Sequence, residues 1–303
     1  MYCFVGVGKR QQEEAMKTEI AAKVSTILTE YDPTTPEATA MELRAYWLTF
    51  EPKSIGGIKA ADRKMQETVG IPVPVLQKIG KEIAKAAKKR VEAYIPLARL
   101  LWERYGREGR VVTVYPLGAM ELVQPQVIIP ILIELCRTCV TWEDADQLSM
   151  RALEPIVRKD PASWLPALES WLADENKWVR RAGVTAVGRL TMVHSDYTAR
   201  CLEMVMDVLL DEEMDVKRAV SFAIRLSARG EISETVKFLN FLVPPVTPVA
   251  TWVLCDAVRS MTKKFLPEFK SLLPNYVEWA ADPDLTPRDR RSVESALKVL
   301  QNA

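Results

Sequence analysis

The sequence predicts an all-α fold, a HEAT-like helical repeat solenoid with a concave, partly basic face. Three observations carry this: apolar residues recur at three- and four-residue spacing nearly throughout, alternating runs of period two are scarce, and one stretch repeats at a step of 37 residues. The spacing predicts helices over about 11–30, 37–49, 60–68, 73–89, 91–106, 124–139, 142–158, 162–173, 177–192, 196–210, 215–228, 231–242, 249–263, 266–280 and 287–301. Between them lie turn-forming segments, DPTTP at 32–36, IGGI at 55–58, YPLG at 115–118, VPPVTP at 243–248 and ADPDLTP at 281–287. The repeat is seen in WVRRAGV at 178–184 and DVKRAVS at 215–221, and one further step back sets Ala145 beneath Ala182 and Ala219. A small residue one turn into each helix lets neighbouring helices approach closely, as stacked helix pairs require.

A chain of 303 residues is long for one compact globule and ordinary for a repeat array, so a single domain over 1–303 is expected. Residues from 1 to about 120 repeat less regularly, as capping units of such arrays do, and regular helix pairs fill about 121–303. With 48% hydrophobic and 27% charged residues and 12 glycines, the composition excludes a disordered chain and a collagen-like fibre. The opening MYCFVGVGKR is too short in apolar residues for a secretory leader, and Pro130 and Glu134 interrupt the greasiest run. Neither export nor a membrane span is expected. Five scattered cysteines fit reduced thiols in a cytoplasm. Cys136 and Cys139 form one CxxC with no second pair, and His194 is the only histidine, so these thiols read as small buried helix residues and no metal is expected. GxxxxGK[ST], GxGxxG and HExxH are all absent, and no cofactor is expected.

A net charge of +1 argues against general nucleic-acid affinity unless the cations cluster. They do over 76–110, where ten Lys or Arg face four Glu. Such a segment is either a solvated helix face or a phosphate-binding face. Thr141 and Asp144 make a capping-box start that begins a helix at Trp142, which puts Trp142 and Asp146 four apart on one side. The next repeats offer Trp178 with Arg181, Arg218 with Phe222, and Phe222 with Arg225 at helix-face spacing. Spacing alone leaves two readings open, since aromatics are more often core than site and an Arg beside an Asp is more often a scaffold ion pair.

Three of these segments, in order, resemble the conserved segments of the AlkD-like DNA alkylation repair glycosylases, a family built on HEAT-like repeats. TWEDAD at 141–146, KWVRR at 177–181 and RAVSFAIR at 218–225 stand where the family reads approximately WWDTVD, FWLRR and KAIGWALR. The intervals are comparable too, with 35 residues from Asp146 to Arg181 and 41 from Arg181 to Phe222. SIGGIKAADRKM at 54–65 is similar to a glycine-containing turn before a basic helix, and the resemblance spans about 40–245. It implies Asp146 as the catalytic carboxylate, Trp142 as a cradle tryptophan and Arg181 as a DNA contact, with Trp178 and Arg225 beside them. Phe222 stands where the family has its second cradle tryptophan, which keeps an aromatic face and loses the indole N–H.

The resemblance implies a monofunctional glycosylase that removes cationic N3- or N7-alkylated purines from double-stranded DNA, gripping the backbone around the lesion. It would act as a cytoplasmic monomer without cofactor, metal or membrane. The residue types suit that chemistry. An alkylated purine already carries positive charge and leaves readily, so the charge to be stabilised develops on the sugar as an oxocarbenium ion, and one carboxylate suffices. The alternative is a non-catalytic HEAT-repeat scaffold that binds DNA or protein through the same aromatic and charged wall.

Overall fold

The computed structural model describes residues 4–53 and 66–303, with side chains described from residue 11 onward. Every regular element among the described residues is a helix. Packing divides the chain into two compact units, Met1–Pro155 and Ile156–Ala303. The first holds α1 (Phe4–Thr29), α2 (Pro36–Trp47), α3 (Val73–Ala87), α4 (Val91–Arg104), α5 (Gly106–Glu121), α6 (Pro125–Arg137), α7 (Trp142–Leu148) and a π-helical segment (Ser149–Leu153). α8 (Glu154–Lys159) follows directly, and the second unit continues through α9 (Pro161–Leu172), α10 (Lys177–Leu190), α11 (Thr198–Met206), α12 (Met214–Gly230), α13 (Ile232–Leu242), α14 (Thr251–Arg259), α15 (Leu273–Ala281) and α16 (Pro287–Gln301).

Helix starts follow local chemistry. Pro36, Pro125, Pro161 and Pro287 stand at first helical positions, where a missing N–H costs nothing. The Asp160 and Thr286 side chains accept the backbone N–H groups of Ser163 and Asp289. The turns expected at DPTTP, VPPVTP and ADPDLTP separate α1 from α2, α13 from α14 and α15 from α16.

Several expectations are corrected. YPLG is not a turn: α5 runs through it with Pro116 inside. Val111, Val112, Val114, Leu117 and Met120 are all buried, so α5 packs on nearly every side and that burial overrides its helix-breaking residues. The helix expected over 142–158 contains the π segment. The one expected over 196–210 opens with a 3-10 turn at Ser195–Tyr197, and that over 266–280 is 3-10 from Lys263 to Leu272, where Pro267 lacks the N–H an α-turn needs. IGGI and most of the helix expected over 60–68 lie outside the described residues; 66–68 is not helical.

The repeat is physical. Ala145, Ala182 and Ala219 are each at most 2% exposed. A Cβ on Gly188 of α10 would lie 2.6 Å from the Ala223 Cα of α12, so the two helices meet at the backbone. Side-chain hydrogen bonds recur at nearly the same step. Arg99 reaches Glu134 at 35 residues, Trp102 reaches Thr138 at 36, Lys177 reaches Glu213 at 36, and Ser221 reaches Asp256 at 35.

Glu121, the last residue of α5, is fully buried, and neither carboxyl oxygen has a hydrogen-bond partner. Burial pushes its pKa up to about 9 from an ordinary 4.5. The folded chain therefore keeps this proton while the unfolded chain releases it above pH 4.5, so stability falls as pH rises from about 4.5 toward about 9. Replacing Glu121 with Met should raise stability at pH 8 by about 1–3 kcal/mol and flatten this part of the pH profile, as read by urea denaturation at several pH values.

Candidate functional site

The start of α7 is held on several sides at once. Asp144 closes a capping box with Thr141: its Oδ2 accepts the backbone N–H groups of Val140 and Thr141, both at 3.1 Å, and its own N–H donates to Thr141 Oγ1 at 3.4 Å. Arg110 Nη1 of α5 donates to the same carboxylate at 2.5 Å, and Gln66 Nε2 donates at 3.3 Å. Arg107, one turn earlier on α5, grips Glu143 through Nε at 2.8 Å and Nη2 at 2.9 Å. Arg107 is 1% exposed and Asp144 3%. The Arg110 guanidinium lies 4.9 Å from the Trp102 ring.

Three carboxylates crowd EDAD, and the first two are bound into this scaffold. Asp146 is partly exposed, one turn beyond Trp142 on the same helix face. Trp142 is 38% exposed and the most exposed of the eight tryptophans. α7 sets the two one turn apart, and the exposure of Trp142 departs from the common tendency of tryptophan to be core.

In the second unit, Asn176 caps α10 by accepting the Trp178 backbone N–H at 2.9 Å. Trp178 is 9% exposed, and Lys177 Nζ stands 4.8 Å from its ring while pairing with Glu213 and Asp215. Arg181 is 6% exposed and donates from Nη1 to the backbone carbonyl of Asp215, near the start of α12. Phe222 is 38% exposed, with the Arg225 guanidinium 5.3 Å from its ring. Arg225 also donates to the carbonyls of Ser221 and Ser260. Burial lowers its pKa, against the pull of Asp256 and with help from Arg229. So Trp178 and Arg181 share α10, and Phe222 and Arg225 share α12.

The basic stretch 76–110 divides in two. Lys78 and Lys85 pair with Glu82, Arg99 with Glu134, Arg107 with Glu143 and Arg110 with Asp144. Lys81, Lys88, Lys89, Arg90 and Arg104 are exposed. The Cys136 and Cys139 thiols are buried, and burial pushes the Cys139 thiol well up, as unreactive core sulfurs behave. Among the described residues, no three His, Cys, Asp or Glu side chains gather as a metal set, and no helix is long and apolar enough to cross a membrane.

Arg107, Arg110 and Gln66 escape motif reading. A signal for the arginines was present: Arg107 precedes Glu143 by 36 residues and Arg110 precedes Asp144 by 34, near the repeat step. Removing Asp144 takes the carboxylate from the half-buried Arg110 guanidinium and the acceptor from the Val140 and Thr141 N–H groups. Asp144→Ala should therefore cost about 3–5 kcal/mol of stability, measured by chemical denaturation.

Residues 50–243 match the sequence profile of the family described as DNA alkylation repair enzyme. No curated protein matches the chain. Among solved structures, AlkD2 from Streptococcus mutans is similar at 17% identity and a TM-score of 0.53, over 72% of this chain and 99% of its own; that likeness bears on the fold. A designed armadillo repeat protein matches over 75% of this chain and 92% of its own, at 15% identity and a TM-score of 0.31.

Proposed function

Because the chain belongs to the DNA alkylation repair enzyme family, we propose that it is a monofunctional DNA glycosylase acting on purines alkylated at N3 or N7 in double-stranded DNA. The observation that carries this reading is the arrangement on α7. Asp146 is partly exposed beside an exposed Trp142, and on the same helix Glu143 pairs with Arg107 and the buried Asp144 with Arg110. A carboxylate and a π face set one turn apart suit a reaction whose developing charge is a sugar cation.

In the reaction, the bond from C1′ to the purine nitrogen breaks and the cationic base leaves neutral. Water adds to C1′ and gives up a proton to solvent, leaving an abasic site and the free neutral alkylpurine. Asp146 stabilises the oxocarbenium ion and orients that water, a contribution of about 3 kcal/mol. Trp142 and Phe222 offer ring faces worth about 1–2 kcal/mol each to a desolvated cation. The exposed Lys81, Lys88, Lys89, Arg90 and Arg104 supply phosphate attraction that weakens with salt. On this reading residues 1–303 are a single HEAT-like repeat domain that works as a cytoplasmic monomer and needs no cofactor.

A second reading, a non-catalytic scaffold for DNA or protein, is favoured by Arg181, whose burial and bond to the Asp215 carbonyl give it a structural role. Release of 7-methylguanine from methylated duplex DNA separates the two. Asp146→Asn should slow release by about 10²–10³-fold with duplex binding retained. If the wild-type chain binds DNA and releases nothing, the scaffold reading replaces the enzyme. Phe222→Trp, which restores the larger indole, should increase the release rate in the same assay by a few fold.

A further inference from the structure

We propose that Arg110, acting through Asp144, is a positioning residue that sets the rotational phase of α7 and so aims Asp146 and Trp142; its catalytic consequence rests on the glycosylase reading. α7 has seven residues, about two turns. A helix that short draws its orientation from what holds its ends. Its C-terminal end runs into the π segment, which inserts an extra residue per turn and offsets the side-chain faces before and after it. The α7 side chains therefore face differently from those of α8, and a contact made on α7 itself is what aims them most directly. At the C-terminal end apolar and backbone packing holds the chain, with Leu148, Ala152 and Leu153 buried and Gly118 of α5 set against the Arg151 carbonyl; at the N-terminal end, nearer Trp142 and Asp146, charged side chains hold it.

Those contacts exceed what starting a helix requires. A capping box alone satisfies the first N–H groups. Here Asp144 also receives Arg110 and Gln66, and the neighbouring Glu143 receives two nitrogens of Arg107. Arg107 and Arg110 are one turn apart on α5, and their acceptors are adjacent on α7, so rotation of α7 would break both contacts together. α5 is fixed in turn: Glu108 accepts the backbone N–H groups of Val69, Gly70 and Ile71, and the Arg107 N–H donates to the Glu67 carbonyl. Arg110 is braced by the Trp102 ring, and the Trp102 Nε1 is tied to Thr138 at 2.8 Å. Buried ion pairs of this kind add little stability compared with apolar packing, and their best-attested use is to specify register. Asp146 lies two residues beyond Asp144, so an error in phase moves it directly.

The test uses the full chain carrying 5-fluorotryptophan, with the Trp142 resonance assigned by its loss in Trp142→Phe. Arg110→Lys keeps the charge and loses the fork, and Asp144→Asn keeps the shape and loses the charge; the second guards against a first that fails to fold. Each variant that melts above the assay temperature should show a shifted or broadened Trp142 fluorine resonance. Each should also lose at least 10-fold in kcat for 7-methylguanine release with KM within about twofold, since misplacing a reacting group by about an ångström costs up to 10²-fold. The double variant should lose no more than the worse single one. A folded variant with an unmoved Trp142 resonance and unchanged kcat overturns the positioning role while leaving the glycosylase intact. Absence of release from the wild type overturns the glycosylase reading and the catalytic consequence with it, while the fluorine resonance still decides whether Arg110 sets the phase of α7.

Discussion

The grip of two α5 arginines on two adjacent α7 carboxylates holds the start of the helix that carries Trp142 and Asp146. Arg107 and Arg110 reach forward one repeat to Glu143 and Asp144, and the same kind of reach recurs along the chain. Lys177 spans to Glu213, Arg181 to the Asp215 carbonyl, and Arg225 to the Ser260 carbonyl, each at 34–36 residues. A helical repeat buries its apolar faces by stacking, but stacking of smooth apolar surfaces leaves sliding and rotation cheap. A polar side chain bound to the start of a helix one repeat away makes both costly. Small residues at the packing face let the helices come close, and these hydrogen bonds decide the register at which they stop.

This division explains why side chains of like chemistry end in opposite roles. Glu143, Asp144 and Asp146 lie within four residues, yet Asp144 is buried against Arg110 while Asp146, one turn from Trp142, is partly exposed. The ten cations of 76–110 divide similarly, with Arg99, Arg107 and Arg110 reaching the next repeat and Lys81, Lys88, Lys89, Arg90 and Arg104 turned to solvent. Arginine suits the inward role because its planar fork meets a carboxylate with two nitrogens and its charge is weakly hydrated. Lysine suits the outward one because its hydrated head stays in water.

The repeat was legible in the sequence because Ala145, Ala182 and Ala219 recur at a helix-packing position where size is tightly constrained. The α7 start was legible because a capping box is a local signal: Thr141 and Asp144 need no knowledge of the rest of the chain. α5 was not. Its apolar residues surround the helix instead of forming a stripe, and Pro116 with Gly118 imitates a turn. Gly118 is there for a different reason, since a Cβ would lie 1.9 Å from the Arg151 carbonyl oxygen of the π segment. The clamp was legible only through the repeat step, because nothing local to Arg107 or Arg110 says that the partner lies one repeat on. The exposure of Trp142 and Phe222 was beyond reach for a related reason: periodicity says which face a residue is on, and only the neighbouring repeat decides whether that face is covered.

Phe222 differs from Trp142 in more than ring size. One of its sides already meets the Arg225 guanidinium, 5.3 Å from the ring centre. A π face satisfies a cation through its quadrupole, and a ring already engaged by one cation attracts a second more weakly. Burial lowers the Arg225 pKa, but guanidinium pKa values begin so high that the group stays charged at neutral pH. Trp142 by contrast shares its helix with the Asp146 carboxylate, so of the two rings Phe222 offers a cation the weaker attraction, and Arg225 beside it gives α12 an affinity for anions.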